Sequence, residues 1–411
     1  MSPLPPTAPA TWPPDRYRAD VAAFDRLMRW FGPHIPALSL RSEDILVNAE
    51  RAEGCCHWGE GGALDAMRLL SDDLQAEPPS GIGRLMASQV LLTAARLRLR
   101  MNRLLEEGRL PDRQPNRPWI VCGLHRSGTT WMQRLLCAVP GRRGVPNHHL
   151  ITPLPAPGRV WRARAVLGFS RWVSPEMWSL HPVWPTVPDE CWTLCTPSFR
   201  IYDIALHWHL PRYIAWLDQT DMRPAYRTYR ILLANIEAEL GGGPLTLKGP
   251  CHIAGLGALL EEMPDARVIW THRDPAETVA SFGRLTALQR RTIYGSYDPV
   301  RAGAATVHRA ANAVRRGLEG LGVDPSRVVH VRYTDLVADP LGVVEAICER
   351  LEEPLSAAGR ADLSRLIAAK GGQRMGDDRY APAAWGLTAE AIRAAMPAYV
   401  ARFTAPGAPM R

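Results

Sequence analysis

Lysine is nearly missing from this 411-residue chain: Lys248 and Lys370 are its two examples, so 47 of the 49 basic side chains are arginine. A coding bias toward arginine accounts for that imbalance. The eight cysteines show no Cys-x-x-Cys spacing, which excludes the common structural zinc site and reads as reduced thiols in a cytoplasmic protein. No run of about 18 apolar residues occurs, and the opening MSPLPPTAPATWPPD has no basic segment followed by an apolar one. Neither a membrane-spanning segment nor a cleaved secretion signal is expected. Positive charge is in small surplus, a net +8, without the concentrated stripe or tail that nucleic acid requires. The surplus suits an anionic small-molecule partner. What is present, 46% apolar and 22% charged residues, is the balance of a soluble globular protein with a substantial core.

Three regions follow from the pattern. Residues 1–14 hold six prolines and read as a mobile tail. Residues 15–117 read as a helical N-terminal region, with apolar positions at helical spacing over Arg16–Trp30 and Arg84–Glu107. From Pro118 to residue 405 short apolar runs alternate with helical segments. Strands are predicted at Trp119–Cys122, Leu245–Leu247, Arg267–Thr271 and Val328–Val331, and a helix from Met132 to Ala138. The fold class is therefore α/β, a mostly parallel P-loop-type sheet flanked by helices, with an N-terminal helical extension. Ligands of such sheets sit at the carboxyl ends of the strands. Residues 145–223 carry seven tryptophans, which can line an acceptor pocket or fill the core.

Gly123–Thr130 reads GLHRSGTT, a GxxxxG loop followed by hydroxyl residues between a strand and a helix. Such a loop aims backbone N–H groups and a helix N-terminus at phosphate. A nucleoside triphosphatase needs lysine where Thr129 stands. The long cation of this loop is instead Arg126, so the pattern points away from ATP or GTP hydrolysis and toward another phosphate ester.

The loop GLHRSGTTW resembles the 5′-phosphosulfate loop of sulfotransferases that use 3′-phosphoadenosine 5′-phosphosulfate (PAPS). The likeness continues through TLKGPCH, VIWTHRDPAETVASF and VVHVRYTDL, covers roughly residues 118–403, and is strongest to a bacterial branch with GLPRSGTT, LKSPxH and THRDP. The resemblance implies PAPS as co-substrate and no metal. It implies that the amides of Ser127, Gly128, Thr129 and Thr130 with Arg126 hold the 5′-phosphosulfate, that Trp131 stacks on adenine and Tyr333 touches it, and that Arg273 and Ser281 hold the 3′-phosphate. Arg374 or Arg379 would reach the same phosphate from the C-terminal segment.

The implied reaction moves a sulfuryl group to a hydroxyl or amine of a small-molecule, sugar or lipid-like acceptor and releases adenosine 3′,5′-bisphosphate. Lys248 matches the lysine aimed at the leaving oxygen, where a cation stabilises charge that grows in the transition state. Arg126 shares that task. A base must take the acceptor proton; His252 is the first candidate, Glu190 and His149 the others. His252 lies four residues after the lysine, whereas the KTHLP motif of the cytosolic animal enzymes has histidine two after. Two other readings stay open: a P-loop nucleotide kinase that recruits Asp274 or Asp335 for magnesium, and a non-catalytic nucleotide-binding protein. Homo-oligomerisation also stays open.

Overall fold

The protein is described from a computed structural model, over residues 17–59, 62–370 and 382–404. Five parallel strands form one sheet: β1 Trp119–Gly123, β2 Arg143–Gly144, β3 Leu245–Lys248, β4 Arg267–His272 and β5 Val328–Arg332, in the order β2-β3-β1-β4-β5. Every residue of β1 and β3 is buried, as expected of strands covered on both faces. Alternate residues feed two cores. Trp119 and Val121 pack with Ile269, Val329 and Val331 against Met132, Leu135 and Leu136 of the helix Thr129–Leu136. Ile120 and Cys122 face the other way and join a larger core with Leu245, Leu247 and Trp270.

That larger core does not stop at the predicted boundary near Pro118. It runs on through the N-terminal helices α1 Ala19–Phe31, α2 Ser42–Glu53, α3 Ala63–Ala76 and α4 Gly81–Glu106, where Ile45, Met67, Leu70, Leu91 and Leu99 are buried. The helix α4 starts three residues earlier than the apolar spacing indicates. Ser80 caps it, its hydroxyl accepting from the Gly83 N–H at 3.0 Å. The C-terminal end of the helix Pro275–Tyr294 docks on this point. The Ser80 N–H donates to the Ile293 carbonyl at 2.9 Å, the Tyr17 hydroxyl donates to the Thr292 carbonyl at 2.7 Å, and a Cβ at Gly83 would overlap the Ile293 carbonyl. The 1–14 tail and the arginines Arg374 and Arg379 lie outside the described residues.

Chain order and sheet order part company at β1. The chain leaves β1 toward β2 on one side and later returns to place β4 on the other, which makes the carboxyl end of β1 a switch point flanked by Lys248 and His272. The loop Leu124–Gly128 fills it. Among the described residues no helix is long and apolar enough to cross a membrane.

Candidate active site

The loop is shaped by its glycines and locked by two hydroxyls. Gly123 has φ +148°, and a Cβ there would stand 2.5 Å from both the carbonyl and hydroxyl oxygens of Thr271. Gly128 has φ +92° and is pressed by the Tyr333 ring, 2.7 Å from where a Cβ would be. Between them Arg126 takes φ +71°, a left-handed backbone that costs a non-glycine residue on the order of 1 kcal/mol or more. The buried Ser127 hydroxyl donates to the Leu124 carbonyl at 2.6 Å and meets the Thr271 hydroxyl at 2.8 Å. Its N–H also donates to Leu124, at 3.1 Å. Both the hydroxyl and the amide of Ser127 therefore brace the loop against Leu124. The amides of Gly128, Thr129 and Thr130 open the helix Thr129–Leu136, where no intrahelical carbonyl can reach them.

On the β4 flank the cations converge. Arg126 Nε donates to the Ser281 hydroxyl at 3.1 Å. Arg273 donates through Nε to Glu277 at 2.8 Å and through a terminal nitrogen to the Arg126 carbonyl at 3.1 Å, and lies 4.3 Å over the Tyr333 ring. Asp274 does not take Arg273: it caps the helix Pro275–Tyr294 through the Ala276 N–H and pairs with Arg393 at 2.6 Å. Arg126, Arg273, Ser281 and Tyr333 thus form one cluster at the loop, with Arg126 on its Ser281 side. Trp131, half-buried, faces outward from the first turn of the helix and packs at the edge of the second core.

On the β3 flank Lys248 is 1% exposed, its Nζ 3.0 Å from Glu190 and 3.5 Å from Asp189. Glu190 runs parallel to β3 as a single bridge to Lys248. Burial alone would lower the lysine pKa, but the charges of Glu190 and Asp189 outweigh it and raise it. Burial likewise works against Asp189, yet Lys248 and His181 hold its carboxyl down to about 2. Lys248 and Asp189 thus hold each other in their charged forms.

Two of the candidate bases, His252 and His149, have side-chain partners of their own. His252 is 1% exposed; its Nδ1 meets the Tyr226 hydroxyl at 3.0 Å and its Nε2 the Cys191 sulfur at 3.2 Å, and burial lowers its pKa to about 4. Four residues would be one α-turn, but Pro250–Gly255 is a 3₁₀ segment and turns the ring into the core. There it braces Cys191, whose S–H donates to the Lys248 carbonyl at 3.2 Å, and so fixes the residue beside Glu190. His149 is bound by Arg159 at 2.8 Å and lies 3.7 Å from Glu239.

Sequence reasoning missed a histidine–aspartate pair. His125 Nε2 meets Asp203 at 3.1 Å, and its ring stacks on Phe282 with centroids 4.0 Å apart. A small pocket of about 40 Å³ begins there, lined by residues that include Leu124, His125, Ile253, Val279, Phe282 and Ala310. None of the seven tryptophans lines it. Trp208 is core, Trp161 and Trp184 are exposed, and Trp172 packs on Phe24 and Phe169. A signal for His125 existed, since it replaces the proline of GLPRSGTT; Asp203 had none.

The site thus joins a lysine-free glycine loop at the switch point of a parallel α/β sheet to an arginine–serine cluster on one flank and a buried lysine on the other. The chain belongs to the sulfotransferase family, which it matches over residues 118–357. It is 26% identical over 252 residues to omega-hydroxy-beta-dihydromenaquinone-9 sulfotransferase Stf3 of Mycobacterium tuberculosis (strain CDC 1551 / Oshkosh), and equally to that of Mycobacterium bovis. The matched stretch is 57% of this chain and spans 62% of those relatives' length. Sulfotransferase STF9 from Mycobacterium avium superposes with a TM-score of 0.76 at 25% identity, over 89% of this chain and 97% of that one. Sulfotransferase STF1 from Mycobacterium tuberculosis H37Rv gives 0.70 at 25%, over 87% and 98%.

Proposed function

We propose that the protein transfers a sulfuryl group from PAPS to a hydroxyl or amine of a small, largely apolar acceptor and releases adenosine 3′,5′-bisphosphate. The observation that carries the reading is the buried, charged Lys248 beside an anion loop that lacks the triphosphatase lysine. In this reading the amides of Gly128, Thr129 and Thr130 take the 5′-phosphosulfate, Arg273 and Ser281 take the 3′-phosphate, and Trp131 and Tyr333 border the adenine. Arginine suits the phosphate because its fork donates two parallel hydrogen bonds. Arg126, drawn toward Ser281, serves both phosphates.

Lys248 donates to the bridging oxygen as the S–O bond breaks, where charge grows most. Glu190 and Asp189 keep it protonated and aimed. The apolar pocket supports an acceptor with a hydrophobic body, as does the name of the mycobacterial relative, an omega-hydroxylated dihydromenaquinone sulfotransferase. Eight free cysteines fit a cytoplasmic setting. A kinase reading is disfavoured because Asp274 is engaged by Arg393 and a helix cap.

The test is thermal stabilisation by adenosine 3′,5′-bisphosphate, followed by incubation with PAPS and a panel of apolar phenols and alcohols. A product heavier by one sulfuryl group is expected. Stabilisation by ATP with magnesium and none by the bisphosphate would sink the proposal.

A further inference from the structure

Resting on the sulfuryl-transfer reading, we propose that His125, held by Asp203, is the base that takes the acceptor proton. His125 lies in the loop itself and lines the apolar pocket, so an acceptor seated there meets its ring. One ring nitrogen of His125, one oxygen of Glu190 and one of Asp203 all lie within 4.8 Å of one another, which sets the dyad beside the carboxylate partner of Lys248. His252 has both ring nitrogens engaged; His149 meets Arg159 and Glu239 through Nδ1 alone, and His125 likewise engages one nitrogen, but of the three only His125 lines the pocket.

The tautomer follows from the partner. Asp203 is 1% exposed; burial would raise its pKa, but the hydrogen bond from His125 and the charge of Arg309 work to lower it. A carboxylate only accepts, so Nε2 of neutral His125 carries the hydrogen and Nδ1 keeps its lone pair. Phe282 fixes the ring plane from one face.

In the step, the acceptor O–H proton passes to Nδ1 and the oxygen lone pair forms the new O–S bond. The bond from sulfur to the bridging oxygen breaks, and its electron pair stays on the phosphate of adenosine 3′,5′-bisphosphate. Asp203 stabilises the imidazolium, which later returns its proton to water. Asp203 is a positioning residue; His125 touches the acceptor.

The experiment uses the full chain, saturating PAPS and two aromatic acceptors in single turnover: 4-nitrophenol, acidic enough to react without a base, and 4-propylbenzyl alcohol, which is not. His125→Gln is expected to slow the alcohol by about 10²–10⁴-fold and the nitrophenol by less than about threefold. Asp203→Asn should show the same selectivity, and free imidazole should restore alcohol transfer in His125→Ala, where the vacated ring position beside Phe282 can receive it. Equal slowing of both acceptors in His125→Gln, or no imidazole rescue, overturns the assignment to His125. Wild-type protein that transfers to neither acceptor overturns the sulfotransferase reading and this proposal with it.

Discussion

The two flanks of β1 handle charge in opposite ways. On the β4 flank Arg273 is partly exposed and its present partner, Glu277, is 57% exposed. On the β3 flank Lys248 is sealed, and both its carboxylates are mostly covered. Exposed cations can exchange one anion for another at small cost, because solvent screens both states. A sealed cation acts in a low dielectric, where its field on a growing charge is strong and fixed. The difference separates a flank suited to recognition from one suited to chemistry.

The contrast breaks most visibly at Lys248. Lys248→Met should lower the single-turnover rate at saturating PAPS by about 10²–10³-fold, the scale of losing a transition-state donor. It should also cost roughly 3–5 kcal/mol of stability by stranding Asp189 and Glu190, read in urea unfolding. A variant that loses donor affinity but keeps its rate would merge the two flanks. Arg273→Ala should do the reverse, weakening bisphosphate binding by about 10- to 150-fold, ~1.5–3 kcal/mol of charged hydrogen bonding. Calorimetric titration measures it, and the saturated rate should barely move.

Acid should attack the β3 flank through His252. Its folded pKa of about 4 lies below the ordinary value of 6.5, so the unfolded chain binds the proton first and stability is lost as pH falls from 6.5 toward 4. His252→Gln should remove roughly 2 kcal/mol of that pH-dependent loss, seen as a flatter plot of unfolding free energy against pH. The smallest effect belongs to Glu277→Gln. Freeing Arg273 from an exposed partner should tighten bisphosphate binding about two- to fivefold with stability unchanged within ~1 kcal/mol; weaker binding would mean that Glu277 orients Arg273.

The β4 flank was largely legible in the sequence. Its loop, strand and helix are contiguous, and apolar runs bounded by glycine and charge locate β1, β3, β4 and β5 to within a residue or two. The resemblance paired Arg273 with Ser281; here Ser281 meets Arg126, and Arg273 meets Glu277 and the Arg126 carbonyl. Lys248 was legible as a cation at a strand end, but its burial between Asp189 and Glu190 was not, because those carboxylates arrive from a segment nearly sixty positions upstream and pair with β3 through one bridge. The direction of His252 was not legible, because a four-residue spacing takes its meaning from the local helix type and Pro250 begins a 3₁₀ segment. The tryptophan-rich stretch failed as a pocket signal for a simpler reason. Composition says that large rings must pack, not against what.

Gly83 has a consequence for where the folding unit begins. The family likeness starts at residue 118, yet the helix that carries Ser281 is clamped at its far end by backbone some thirty-five positions upstream of that start, at a spot too tight for any side chain. A fragment trimmed to the recognisable catalytic portion would free the tail of that helix and strip one side of the larger core. The stretch matched over residues 118–357 is therefore shorter than the shared fold, since the superposition on STF9 covers 89% of this chain. Engineering that seeks a minimal enzyme has to keep the N-terminal helices, and a Gly83→Ala change should behave as a remote lesion felt at the donor site.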